Sequence, residues 1–201
     1  GVNHNGNLAR ARQLVEAARQ GGADVIKFQT FAAERLVTSE AVKAKYQVEA
    51  TGTSESQFEM LRRLELGVEE HRDLMEQCRA EGIAFLSTPF DEDSADLLEE
   101  LEVEAFKIPS GEITNLAFVA HVARKMKPMI ISTGMSTLGE VESAVKAVEN
   151  AGNSRFILLH CTSAYPTQPH EVNLRAMETM ARAFGKPVGY SDHTRGMEVA
   201  L

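Results

Sequence analysis

Residues Phe106 to Glu112 read FKIPSGE, following Ala105 in a short apolar run that carries a lysine and then gives way to proline, serine, glycine and a carboxylate. This is the composition of a strand, Ala105 to Ile108, opening into a loop. An ammonium at a half-buried strand end loses hydration, so Lys107 needs an anionic partner or ligand. A bound phosphate is the ligand this reading favours.

Working outward, the same cycle of helix and strand recurs on both sides. Leu8 to Gln20 places Leu8, Ala11, Leu14, Val15 and Ala18 on one side of a helix that Gly21 and Gly22 stop. Further helices are expected over Gln57–Leu64, Val68–Glu81, Asp93–Leu101, Leu116–Lys125, Leu138–Ala151 and Arg175–Phe184. Strands are expected over Ala23–Phe28, Ile83–Ser87, Ala105–Ile108, Met129–Ser132, Arg155–His160 and Val188–Ser191. Apolar runs without period-two alternation suit strands buried on both faces, hence an α/β fold with a parallel sheet and helices outside it.

An open doubly wound sheet and a closed barrel both fit that cycle. Polar residues follow every strand: Lys27 and Gln29, Ser87 and Thr88, Lys107 and Ser110, Ser132 and Thr133, His160 and Thr162, and Ser191 to His193. An open sheet collects its chemistry at one switch point, whereas a barrel gathers it from all strand ends at one mouth. The expected fold is therefore a TIM-type (β/α)8 barrel. Such barrels usually take ~250 residues. Residues 1–201 are thus read as one partial barrel domain, truncated at both ends. GVNHNG at the start would be the loop after a first strand, and Met197 to Leu201 the start of a helix. The long connection Phe31 to Glu55 is either a partial lid or a surface insertion.

Composition narrows the function. The chain has 201 residues, 43% of them hydrophobic, enough for a sizeable core. No apolar run approaches the ~20 residues of a membrane span, and no signal-peptide pattern is present. Cys78 and Cys161 lack metal-type spacing, which with no export signal indicates a reduced, cytoplasmic setting. A net charge of -8 argues against nucleic acid but allows an anionic small molecule in a cleft of focused positive charge.

Several side chains could carry that chemistry. Lys27 and Lys107 each end an apolar strand, and two such charges call for a phosphate or carboxylate between them, unless each pairs with an acid such as Glu112. Ser110, Ser132 and Ser191 stand in SGE, STG and SDH, where hydroxyls and loop amides beside glycine can form an anion nest. His193 is a candidate metal ligand or proton carrier, or a hydrogen-bonded structural residue. His160 reads as a core or supporting residue, and Cys161 as a small core residue or, at its strand end, a reactive thiol. Glu112 is the acid/base candidate, with a salt bridge to Lys107 as the alternative.

GVNHNG, KFQTF, FLSTPFD, FKIPSGE, ISTGM, LLHCTSAYPT and GYSDHT, in this order along the chain, resemble the motifs of the N-acetylneuraminate (sialic acid) synthase family, which includes legionaminic and pseudaminic acid synthases and spore-coat polysaccharide synthases. The resemblance implies an enzyme that condenses phosphoenolpyruvate with N-acetylmannosamine or a related N-acylated hexose, giving a nonulosonic acid and phosphate. It assigns Lys27, Lys107, Ser110, Ser132 and Ser191 to phosphoenolpyruvate and Gln29, Phe90, Ser163 and Tyr165 to the sugar. Glu112 falls near the reacting atoms, and His193 on one of two histidines that hold Mn2+ or Mg2+. Some members carry asparagine at the position of Ser163. A strand-one acid and the second metal histidine would lie outside residues 1–201, as would an antifreeze-like domain that covers a partner's site in a homodimer. Two other readings are a Schiff-base lyase using Lys107 and a non-catalytic sugar-phosphate sensor.

Overall fold

The helices that start at Leu8, Gln57, Glu92, Leu116 and Leu138 begin at a side-chain cap that the sequence supplies. The computed structural model describes residues 2–43, 47–48, 52 and 55–201. Asn7 accepts from the Arg10 amide at the start of α1 (Leu8–Gln20). After β1 (Val25–Thr30) and a single helical turn α2 (Ala33–Leu36), Ser56 and Glu59 form a capping box on α3 (Gln57–Leu64). Then come α4 (Val68–Glu81), β2 (Ala84–Pro89) and α5 (Glu92–Glu100), the last capped by Asp91 on the Ser94 amide. Each such cap satisfies an amide that has no partner inside its helix, at about 1 kcal/mol.

The second half repeats the scheme with shorter strands. β3 (Phe106–Ile108) runs into a 3-10 turn (Ser110–Glu112) and α6 (Leu116–Arg124). β4 (Met129–Ser132) leads to α7 (Leu138–Asn150), which carries a second capping box, Thr137 with Glu140. β5 (Phe156–Cys161), a 3-10 turn (Pro169–Glu171), α8 (Ala176–Phe184) and β6 (Val188–Ser191) complete it. The chain divides into two compact units, Gly1–Glu104 and Ala105–Leu201.

All strand pairing is parallel. The first unit pairs β1 with β2, Val25 opposite Ala84 through Thr30 opposite Pro89. The second unit holds a four-stranded sheet in the order β3-β4-β5-β6. Consecutive parallel strands joined by a helix are the units of a barrel-like α/β fold. The expected first, second and fifth strands end one or two residues later than their apolar runs, because Gln29, Thr30, Thr88, Pro89 and Cys161 extend the ladders. Residues 197–201 form a turn with one helical bond, Leu201 N–H to the Met197 carbonyl. Of the proposed lid, residues 44–46, 49–51 and 53–54 lie outside the described residues. Its described part contains α2 and the buried Lys43, whose ammonium meets Glu55. No described helix is long and apolar enough to cross a membrane.

Each sheet has a helix face and an opposite face. In the first unit Phe28 packs with Ala11, Val15, Leu74, Cys78 and Ile83, and Phe85 stacks on it at 5.6 Å. Burial pushes the Cys78 thiol up to about 11, so it stays an uncharged core residue. The same face holds a polar chain: the buried His71 Nδ1–H donates to the Gly67 carbonyl at 2.7 Å, and Nε2 accepts from Thr30 at 2.8 Å. Thr30 in turn meets Ser87 at 2.7 Å. The Gly67 bond requires a proton on Nδ1, and burial, which lowers the His71 pKa, favours the neutral ring in which Nε2 accepts.

His4 is also fully buried; its Nδ1 accepts from the Gly6 amide at 3.0 Å, while Nε2 has no partner among the described residues. Gly6 has φ +70°, and a Cβ there would meet the Arg63 carbonyl oxygen, so this tight turn against α3 requires glycine.

Burial lowers the pKa of both His4 and His71 below the usual 6.5. The unfolded chain therefore binds more protons than the folded one as pH falls through 6.5, and stability is lost in that direction until the folded values are reached. We predict a lower urea midpoint at about pH 5.5 than at about pH 7.5, with His71→Gln flattening the difference. An unchanged difference in that variant would remove His71 as its source.

Candidate functional site

Strand parity puts Lys27, Gln29 and Thr88 of the first unit, and Lys107, Ser132 and Ser191 of the second, on the face opposite the helices. In the first unit Ile26, Phe28 and Thr30 face the helices, so Lys27 and Gln29 point the other way, beside Leu86 and Thr88 of β2. Lys27 Nζ donates to Thr88 Oγ1 at 3.4 Å, and burial lowers the pKa of its ammonium. The Phe90 ring meets Phe31 edge-on at 6.1 Å and packs beside Met60 and Leu64. Phe90 is thus half-buried in an apolar cluster under α2 and α3.

The second unit gathers more. Register places Lys107, Ile130, Ser132, Leu159, Cys161, Gly189 and Ser191 on one face. Phe106, Ile108, Met129, Ile131 and Leu158, fully or almost fully buried, occupy the other. Lys107 is 7% exposed, and its ammonium donates to the Ile108 carbonyl at 2.6 Å and to Ser132 Oγ at 2.5 Å. A buried ammonium is stable only with such acceptors around it. Because Ser132 Oγ accepts from Lys107, its own O–H is left to donate.

Ser110, on the 3-10 turn after β3, repeats that arrangement. Its Oγ accepts from the Gly134 amide at 2.9 Å and lies 3.2 Å from Cys161 Sγ. Gly134, the glycine of ISTGM, leaves no room for a side chain. A Cβ there would collide with Ser163 Oγ and lie 2.9 Å from Ser110 Oγ and 3.0 Å from Cys161 Sγ. Glu112, half-buried at the end of the turn, accepts from Asn115 Nδ2 at 3.0 Å.

His193 stands beyond β6. Its Nδ1 donates to the Thr162 carbonyl at 2.7 Å, so in the neutral ring the lone pair lies on Nε2, 3.4 Å from Ser191 Oγ. A carbonyl holding one ring nitrogen so that the other offers a lone pair is the arrangement of a metal-binding imidazole. The partly exposed Tyr165 ring lies 4.5 Å from the His193 ring. The loop carrying Ser163 and Tyr165 is tied to His193 by Thr167, whose amide donates to the His193 carbonyl at 2.9 Å. Asp192 braces the same turn, accepting from Tyr190 OH, Thr194 N–H and Thr194 O–H. The Thr194 bonds, with a smaller contribution from Tyr190, hold its carboxyl below the usual range.

A fit to a divalent ion is partial. His193 presents the right tautomer for one ligand position, but among the described residues no three His, Cys, Asp or Glu side chains gather to hold an ion. A cavity of about 450 Å3 opens beside Cys161, lined by Thr133, Ser136, His160, Asn173 and Arg175 among others. His160 belongs to the helix side, donating or accepting through Nε2 only at the Val172 carbonyl, hence as a donor, at 2.6 Å.

Thr88 and Thr162 stand among the strand-end polar residues and Gly134 within STG, but the sequence does not disclose that Thr88 meets Lys27, that the Thr162 carbonyl holds His193, or that Cys161 meets Ser110. Gly134 had a signal in its place between Thr133 and Met135 after a strand; the carbonyl had none. We predict that Gly134→Ala destabilises the fold by about 1–3 kcal/mol through overpacking. Gly139→Ala, in α7 with open space at its Cβ, should be neutral or stabilising by up to about 1 kcal/mol. Urea denaturation of the two variants checks this contrast, and equal effects would refute it.

Comparison with known proteins agrees with the motifs. The NeuB family model matches residues 14–201. An N,N'-diacetyllegionaminic acid synthase of Campylobacter jejuni is 49% identical over all of this chain and 61% of its own length. One from Legionella pneumophila is 51% identical over 99% of this chain and 57% of its own. The chain therefore spans about three fifths of the length of these relatives. The N-acetylneuraminic acid (sialic acid) synthetase of Leptospira borgpetersenii, solved in complex with citrate, superposes with a TM-score of 0.86 at 32% identity, covering 99% of this chain and 65% of that one. A 3-deoxy-D-arabino-heptulosonate 7-phosphate synthase from Thermotoga maritima, 15% identical with a TM-score of 0.65, shares the fold. By its motifs, its parallel α/β architecture and this match, the chain belongs to the NeuB family.

Proposed function

We propose that this chain carries the condensing site of a nonulosonic acid synthase, which joins phosphoenolpyruvate to an N-acylated hexose and releases phosphate. The carrying observation is the pair of serines whose oxygens are already engaged: Ser132 by the Lys107 ammonium and Ser110 by the Gly134 amide. Both hydroxyls are left as donors beside a buried cation, which suits a ligand of high negative charge. Lys27, Lys107, Ser110, Ser132 and Ser191 are assigned to phosphoenolpyruvate. Gln29, Phe90, Ser163 and Tyr165 are assigned to the sugar. The six strands are taken as part of an eight-stranded barrel, and the setting as cytoplasmic.

In the reaction, the methylene carbon of phosphoenolpyruvate attacks the aldehyde carbon of the open-chain sugar, and the aldehyde oxygen takes up a proton. The carbon bearing phosphate becomes electron-poor, water adds there, and the bond from that carbon to the phosphate oxygen breaks. The products are a 2-keto acid and inorganic phosphate. Lys107 and the serines hold the phosphate and stabilise its charge as it leaves. Glu112 moves protons at the reacting oxygens. His193 offers one nitrogen to Mn2+ or Mg2+, an ion that would polarise the aldehyde when bound.

The relatives narrow the sugar. Both are named for an N,N'-diacetyl product. Phosphoenolpyruvate brings carbon and oxygen but no nitrogen, so both acetamido groups of such a product come from the hexose. A diacetamido hexose is therefore favoured over N-acetylmannosamine.

In the intact protein we predict metal-dependent phosphate release from phosphoenolpyruvate with a diacetamido hexose. Lys107→Met should lower kcat/KM by about 100-fold or more while a thermal melt confirms folding. Tight phosphoenolpyruvate binding without release for either sugar would favour the sensor; borohydride trapping of a covalent adduct on Lys107 would favour the lyase.

A further inference from the structure

Cys161 is 5% exposed, and the condensation described above does not use it. It is neither a nucleophile in that reaction nor part of the helix-side core. Its Cα is paired in register with Ser191, and its Sγ lies 3.2 Å from Ser110 Oγ, at the centre of the residues assigned to the phosphate. Gly134 closes the same corner, since any Cβ there would touch Cys161 Sγ and Ser110 Oγ together.

We infer that Cys161 is a positioning residue whose thiol donates to Ser110 and so directs the Ser110 proton at the bound anion. A serine oxygen has two lone pairs and one proton. The Gly134 amide fills one lone pair at 2.9 Å. Among the described residues the other polar group in contact is Cys161 Sγ, and between a hydroxyl and a thiol either can donate. Once Ser110 gives its proton to an anion, the thiol must be the donor and the second lone pair the acceptor. A hydroxyl that accepts two hydrogen bonds is polarised and becomes a better donor itself. The thiol suits this place because it is a weak acceptor: it does not hold the Ser110 proton against a charged ligand.

The inference rests on the assignment of Ser110 to phosphoenolpyruvate, and the test separates the two. Phosphoenolpyruvate binding is measured by calorimetry on the intact protein, its Ser110→Ala variant, and Cys161→Ala, Cys161→Val and Cys161→Ser, with a thermal melt of each. Cys161→Val fills the space without a donor, and Cys161→Ser restores a donor. The expected result is binding about fivefold weaker in the Ala and Val variants and within about threefold of the parent in the Ser variant. A Val variant that binds as tightly as the parent would reduce Cys161 to a space-filling residue and overturn the proposal. So would a Ser variant as weak as the Ala one, or a Ser110→Ala variant with unchanged affinity. A parent that binds no phosphoenolpyruvate would overturn the functional assignment itself, and this inference with it.

Discussion

A buried ammonium sets the terms for the second half of this protein. Lys107 sits in a three-residue strand whose other two members, Phe106 and Ile108, are fully buried on the helix face. With both neighbours held by the core, the lysine has only the opposite face to occupy. There its charge is tolerable because the Ile108 carbonyl and Ser132 Oγ accept from it. Ser132, at the end of the neighbouring β4, is seated where it meets that requirement.

The same economy of donors and acceptors runs through the loops. Each strand end supplies a hydroxyl or ring nitrogen, and each has one side taken by the protein: Ser132 by Lys107, Ser110 by Gly134, His193 by the Thr162 carbonyl. What is left over is directional, two O–H donors and one imidazole lone pair. Preorganised donors of this kind act on developing charge without first having to reorient. Gly134 is the hinge of the arrangement, because its amide must reach Ser110 where no side chain can fit.

The first half shows the complementary case of polar groups used for structure. Thr30, Ser87 and His71 are as polar as the residues across the strands, yet they face the helices and satisfy one another. Successive residues of one strand thus divide between two tasks: Gln29 on the opposite face, Thr30 in the buried chain. Residue type alone does not distinguish them, since both lie in the same short run after Phe28.

Apolar periodicity and cap residues by themselves determined the element order, because a helix or strand is set by local spacing and by which amides find partners. Leu8–Gln20, Gln57–Leu64, Val68–Glu81, Met129–Ser132 and Val188–Ser191 needed no correction. Lys107, Ser110, Ser132 and His193 were legible too, as polar residues after apolar runs. Strand ends were less so, since Thr30, Pro89 and Cys161 join the ladder only through a neighbouring strand. Tertiary structure alone decided that Cys161 meets Ser110, that Gly134 closes on both, and that the Thr162 carbonyl fixes the His193 tautomer. Those contacts join residues 24 to 51 positions apart, where no sequence period reports which atoms will touch.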